Sequence, residues 1–278
     1  MFTPFAFRSI KAEEAVTPTV DPDATAFLTA TGITDPTISD AINQLVLDLK
    51  AASLWTKSNA IYPFVGGTAT THKYNLIDPQ DTDAAFRLGF LGGMTHNSNG
   101  ITGNGTSNFA STYMQASGEL AGGGGSSQND FHMIAYVRNI PSARNGVDIG
   151  VYSATQNTSI SFNVRNTSNL FNSAGMTANI YDGSANTATT GFYGMTRNGT
   201  STTYRKFINT TKSTVTRTST APPTRDIFIM AQNGNGTATA FQNRNIALVT
   251  LGYGLSDTDI DNWVTINEDF QTALGRFV

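Results

Sequence analysis

The chain has 278 residues, 17 Lys plus Arg against 20 Asp plus Glu, a net charge of −3 and no cysteine. Charged residues make up 13%, well below the ~25% usual for soluble domains, and Ser, Thr, Asn and Gly take their place. With no basic block, nucleic acid is excluded as a partner; with no Cys, disulfides and thiolate metal sites are excluded; and no run approaches the ~20 apolar residues of a membrane-spanning helix.

Residues 1–23 read as an arm. Phe2, Phe5 and Phe7 alternate with smaller residues around Pro4, and AVTPTVDPD adds two more prolines. A lone strand cannot bury its own rings, so the rings are expected to dock on the domain behind or on another chain: the arm reads either as a frayed terminus or as an anchor to a larger assembly. MFTPFAFRSIKAEE lacks the basic start and long apolar centre of a secretory leader, which gives the expectation of synthesis in the cytoplasm.

Residues 24–83 read as a helical segment and connector. DATAFLTATG is a short helix that stops at Gly32; Thr34 or Asp35 caps the next, with Pro36 in its first turn. Ile38, Ile42, Leu45 and Leu49 follow a helical stripe, widened by Val46 and extended by Ala52 and Trp55. The helical reading runs to Ile61. A two-helix unit has too little core to stand alone, so the stripe is expected to pack on the β domain or on copies of the chain. Tyr62–Asp83 is turn-rich, with Gly66-Gly67 and Asp78-Pro79.

Residues 84–278 read as β throughout, until a closing helix. AFRLGFLGG, NFASTYMQ, FHMIAYVR, VDIGVYSA, TSISFNV, TANIYDG, TGFYGMT, TTYRKFIN and STVTRTS are short runs between Gly/Asn/Ser/Pro turns, the spacing of a sandwich or barrel. AGGGGSSQN (Ala121–Asn129) is a loop. Ile227–Ala231 and Asn245–Leu251 are strands joined by a polar Gly/Asn loop. Ser256 and Asp259 then form an S-x-x-D capping signal. Ile260, Trp263, Val264, Phe270 and Leu274 recur at near-helical spacing, up to Gly275.

A strand, "LSDTDI" (Leu255–Ile260) and a closing helix resemble the end of a laminin-G-like, concanavalin-type β-sandwich. DFHMIAYVR (Asp130–Arg138) is similar to that family's central strand, and Gly191–Ser219 to its hairpin. The helical lead-in, at Phe27–Ile33, Ile42–Lys50, Trp55 and Tyr62–Leu88, resembles proteins of tailed bacteriophages that join such a segment to this sandwich. The resemblance implies a virion component: a head- or tail-attached fibre or appendage subunit.

Candidate chemistry is sparse. Retaining glycosidases need two carboxylates ~5–5.5 Å apart, but the four Glu are Glu13, Glu14, Glu119 and Glu268, none on a strand with an alternating Asp. His72, His96 and His132 show no H-x-H or H-x3-H spacing, and His96, in GGMTHNSNG, reads as a solvated loop imidazole. No Ser sits in a G-x-S-x-G elbow, and Gly103 and Gly105 do not make a phosphate loop. The chain is therefore expected not to be an enzyme. The laminin-G resemblance brings Ca2+ into question, with Asp130, Asp148, Asp182 and Asp226 as loop-edge ligands, though a lone Asp at a strand end is more often a turn former. Tyr113, Tyr152, Tyr181, Tyr193 and Tyr204 could stack on sugars, although core packing explains strand tyrosines as well. Trp55 and Trp263 fall on apolar helix faces.

The sequence thus points to a mainly β, concanavalin A-like antiparallel jelly-roll sandwich with an N-terminal helical segment and a C-terminal helix. The expected role is a bacteriophage virion subunit, homotrimeric, with Phe2, Phe5, Phe7, Ile38, Ile42, Leu45 and Leu49 in assembly contacts and host surface polysaccharide as a possible partner. The alternative is a stand-alone carbohydrate-binding, lectin-like module.

Overall fold

The computed structural model of the chain describes residues 20–122 and 128–278; Phe2, Phe5, Phe7, Glu13 and Glu14 lie outside them. In chain order the helices are α1 (Pro22–Thr31), α2 (Pro36–Ala51), α3 (Ala69–His72) and α4 (Asp257–Ala273). The strands before the first long loop are β1 (Ser58–Tyr62), β2 (Gly89–Leu91), β3 (Thr95–Asn97), β4 (Gly100–Thr102) and β5 (Phe109–Gln115). Then come β6 (Asp130–Asn139), β7 (Ile149–Ser153), β8 (Thr158–Asn163), β9 (Leu170–Thr177), β10 (Asp182–Ala185) and β11 (Gly191–Asn198). The last are β12 (Thr203–Ile208), β13 (Thr211–Thr216), β14 (Asp226–Ile229), β15 (Gln232–Gly234), β16 (Thr237–Thr239) and β17 (Asn245–Gly252).

The strands form two sheets packed as a jelly-roll sandwich. The first runs β13-β12-β11-β6-β17-β4-β3, and β1 also pairs with β17. The second runs β10-β9-β8-β7-β14-β5-β2, with the β15–β16 hairpin attached to β7. Pairing is antiparallel except for the short β15–β7 contact.

The central strands of the first sheet are buried on both faces. In β6, Phe131, Met133, Ala135 and Val137 enter the core between the sheets, whereas Ile134 and Tyr136 face a second core beneath the helices. That is why DFHMIAYVR reads as a nearly continuous apolar run and not as a polar/apolar alternation. The second core joins Phe27 of α1, Ile42, Leu45, Val46 and Leu49 of α2, and Ile260, Trp263, Val264 and Phe270 of α4. The expected caps form: Asp35 accepts from Ile38 N–H at 3.1 Å, and Ser256 with Asp259 makes a reciprocal capping box.

Three expectations are corrected. Ile42, Leu45 and Leu49 are 0–1% exposed within this chain's own second core, so they cannot serve as an assembly surface; only Ile38 of that stripe is partly exposed. The helical reading up to Ile61 overshoots: Ser58–Tyr62 is a strand bonded to β17, where its apolar side chains find a sheet edge. The expected strand TANIYDG instead spans the end of β9, a turn at 178–181 and the start of β10, with Ile180 of the turn 47% exposed. The main strand lies before it, at Leu170–Thr177.

Candidate functional site

The helices cover the outer face of the first sheet, so the outer face of the second sheet is where side chains on regular strands reach the surface. Register places its residues. Gly89 of β2 pairs with Ser111 of β5, Ser111 with Phe228 of β14, Phe228 with Gly150 of β7, and Gly150 with Ser161 of β8. The inward residues beside them, Ala110, Ile227, Ile229, Ile149, Val151, Ile160 and Phe162, fill the sandwich core.

Two aromatic groups stand on this outer face. In the first, the Phe109 ring lies 4.6 Å from Phe228 and 6.3 Å from Phe241. Phe109 and Phe241 are partly exposed, and Leu91, opposite Phe109 in the ladder, is 45% exposed. In the second, Tyr152 projects from β7, and Tyr181 reaches across from the β9–β10 turn. The Tyr181 hydroxyl accepts from Gln232 Nε2 at 2.9 Å and from Ser161 Oγ at 2.9 Å, so its own proton is free to be donated outward. Between the groups, Ser111 Oγ donates to Asp226 Oδ2 at 3.4 Å. Nearby, the Arg87 guanidinium lies 5.6 Å from the Tyr113 ring. A side chain at Gly89 would meet that tyrosine, since a Cβ there would sit 2.5 Å from the Tyr113 hydroxyl.

This face carries apolar rings flanked by Gln, Ser, Asp and Arg groups. Such a surface can stack against the apolar face of a sugar while hydrogen-bonding its hydroxyls. The concave clefts lie elsewhere. One, of about 620 Å³, is lined by Ile33, Thr37, Val65, Gly66, Leu274 and Arg276 among others. Another, of about 320 Å³, lies between the β11–β13 strands and the start of α4, where Arg205 pairs with Asp257 at 2.9 Å.

The acids singled out in the sequence do not gather. Asp148 does stand at a loop edge, directly before β7, but it is fully buried, 3.3 Å from Arg244 Nε, and accepts from Val164 N–H at 2.7 Å, so it is spent on the fold. Asp182 holds Arg217 through both carboxylate oxygens, Asp130 accepts from Gly254 N–H at 2.6 Å, and Asp226 takes Ser111. Glu119 accepts from Gln115 N–H, and Glu268 is exposed on α4. Among the described residues no group of three or more His, Asp or Glu is placed to hold a metal ion.

Tyr193 and Tyr204 are core residues at 0–1% exposure, as is Trp263, whereas Tyr113, Tyr152 and Tyr181 are partly exposed. Trp55 is half-buried under Lys50, whose Nζ is 5.3 Å from its ring. His132 is buried; its Nδ1 lies 2.6 Å from the Tyr253 carbonyl and its Nε2 3.0 Å from Thr250 Oγ1. The carbonyl can only accept, so the proton sits on Nδ1 and Thr250 donates to Nε2. His96 is not a solvated loop residue: it lies in β3, half-buried, with its Nδ1 3.1 Å from that of His72. Phe109, Phe228 and Phe241 were not legible as site residues in the sequence; the alternation in NFASTYMQ shows that Phe109 shares a face with Ser111, but not that this face is the one left without helices.

No protein-family model matches the sequence, and no curated protein matches it. Solved structures do. Domain 4 of AbnA, a GH43 extracellular arabinanase from Geobacillus stearothermophilus in complex with arabinotriose, is similar at TM-score 0.52 and 12% identity, over 75% of this chain and 98% of that one. Trypanosoma rangeli sialidase in complex with sialic acid is similar at TM-score 0.51 and 10% identity, over 82% of this chain. A mutant of that sialidase displaying trans-sialidase activity gives 0.52 and 11%, again over 82%. The chain spans 39% of the length of each of these sialidase chains. At these identities the likeness shows the fold, a β-sandwich. It also corrects the expectation that the chain is not an enzyme: glycoside hydrolases carry this fold, so the lack of a legible acid pair does not exclude catalysis.

Proposed function

We propose that the chain is a carbohydrate-binding β-sandwich module that holds polysaccharide on the outer face of its second sheet. One observation carries this reading: Phe109 and Phe241, packed about the buried Phe228, and Tyr152 and Tyr181 are partly exposed on the side of the sandwich that no helix of the described residues covers, beside the polar groups of Gln232 and Asp226. The arabinotriose complex of the similar arabinanase domain supports the same ligand class. In this reading the protein serves as a head- or tail-attached appendage of a phage particle that contacts host surface glycans; the resemblance of its helical lead-in, read in the sequence, to such proteins is the reason.

The test is affinity electrophoresis and a glycan array with arabinan, sialylated glycans and bacterial surface polysaccharides, on the wild type and on Phe109→Ala and Tyr152→Ala. Retardation that both variants lose supports the proposal. A blank array, or binding unchanged by both substitutions, overturns it. Assaying sugar release on every ligand found separates holding from cleavage.

A further inference from the structure

His72 and His96 stand outside everything described for the aromatic face. His72 ends α3 and is 1% exposed; His96 sits mid-strand in β3 and is half-buried. Aromatic neighbours fix both rings: Phe64 meets His72 edge-on at 5.6 Å, and Phe90 meets His96 at 4.5 Å. The two Nδ1 atoms are 3.1 Å apart, so both cannot carry hydrogen towards each other. Burial, then the charges of His96 and Arg276, pushes His72 down to about 3, and burial also lowers His96. Both rings are therefore neutral at pH 7, the form that ligates metals.

Imidazole nitrogens sit about 2.0–2.1 Å from a bound Zn2+. With the nitrogens 3.1 Å apart, a cation at that distance from both subtends an angle of roughly 95–100°. That lies between the right angle of a tetragonal site and the wider angle of a tetrahedral one. We propose that His72 Nδ1 and His96 Nδ1 form a chelating pair for a late first-row divalent cation, Cu2+, Ni2+ or Zn2+, with water in the remaining positions. Imidazole suits all three, and the ordinary affinity order puts Cu2+ first. His96 is only half-buried, so the solvent side of the pair is its own ring.

The site is weak by construction. No third His, Asp or Glu joins it among the described residues. The Arg276 guanidinium spends its N–H groups on Gln271 and on the carbonyls of Pro63, Phe64, Ser98 and Ala247, and its charge opposes a second cation nearby. With two protein ligands the pair binds more weakly than structural zinc sites, which use four.

The experiment is titration calorimetry of the full chain with CuCl2, NiCl2 and ZnCl2 at neutral pH, alongside His96→Gln, with a Cu2+ electron paramagnetic resonance spectrum of the wild type. One equivalent of cation and two equatorial nitrogens are expected. Outer-shell changes alone cost about 10–100-fold in metal affinity, so losing a ligand should weaken binding at least about tenfold. Equal affinity in wild type and variant, no uptake at millimolar cation, or a spectrum without two nitrogens would each overturn the proposal. The spectrum needs no variant, so a misfolded His96→Gln leaves the question decided.

Discussion

Asp148 Oδ1 and Arg244 Nε face each other at 3.3 Å with neither side chain exposed to solvent. Neither atom has an aligned hydrogen bond, so the contact is a charge pairing more than a directed bond. Burial pushes the Asp148 carboxyl up and the Arg244 guanidinium down, and each partner opposes the other's shift. Arg244 also donates to the carbonyls of Ser142 and Arg165, which ties two loops to the start of β17. Removing one member of a buried pair strands the other charge, at a cost of about 3–5 kcal/mol. Asp148→Ala should lose that much in urea unfolding. The joint Asp148→Leu/Arg244→Met variant should lose clearly less. Equal losses would mean that the carbonyl ties, and not the charge, carry the energy.

The helical layer depends on Trp263. It is 0% exposed and stacks on Phe192 of the first sheet at 6.3 Å and 28°. Trp263→Ala leaves a large void under α4, and such truncations cost about 3–5 kcal/mol. Losing the Ser256 cap costs about 1 kcal/mol. Chemical unfolding should therefore rank Trp263→Ala well below Ser256→Ala, and both below wild type. A Trp263→Ala protein of unchanged stability would show that α4 is not bound through this ring.

Much of this layer was legible. The stripe of α2 and the Ser256–Asp259 box are local signals, and local signals survive into the fold because caps and helical faces are satisfied within a few residues. The stripe's partner was not legible, since nothing in Ile42 or Leu45 says whether a sheet or a second copy will cover it. Strand β1 was misread because SNAIY follows a helix and its ladder partner, β17, lies near the other end of the chain. LFNSAGMT was missed because its Asn, Ser and Gly weaken the strand signal, although Phe171 of that strand is 1% exposed in the sandwich core. The site was least legible. Phe109 and Phe228 converge through register, Phe241 joins them from the loop before β17, and His72 meets His96 through tertiary packing with no motif spacing to announce it.

On the aromatic face, substitutions should separate binding from stability. Phe109 and Tyr152 are partly exposed, and surface replacements usually stay within about 0.5 kcal/mol of wild type. A stacking contact of about 1.4 kcal/mol corresponds to tenfold in affinity, so Phe109→Ala or Tyr152→Ala should weaken glycan retention by roughly that factor at unchanged melting temperature. Tyr193→Ala, in the core, should do the reverse: it should lower stability, and should affect binding only through unfolding. If Phe109→Ala is as destabilising as Tyr193→Ala, the face is a structural layer.

Acid should unfold the protein through its buried imidazoles. Burial holds His132 down to about 4 and His72 down to about 3, against 6.5 in the unfolded chain. A depressed histidine favours the fold while it is neutral. Its contribution is complete above pH 6.5 and falls as the unfolded chain takes up protons that the native state refuses, until the folded value is reached. Each such group costs up to about 1.4 kcal/mol per pH unit. For His132 the loss runs from about pH 6.5 to about 4; for His72 it continues to about 3. Stability measured by urea unfolding should be flat from pH 8 to 7, then decline below 6 at up to about 2.8 kcal/mol per unit from these two rings, with His96, which burial also lowers, adding to the slope. Protonating His132 would leave Nε2 carrying a hydrogen, which Thr250 could accept only by turning its own hydroxyl away. His132→Gln, which cannot take up that proton, should start less stable at pH 7 and show a clearly shallower slope, the remainder coming from His72 and His96. A profile with no decline until the carboxylates titrate near pH 4 would mean that both rings reach water before the fold opens.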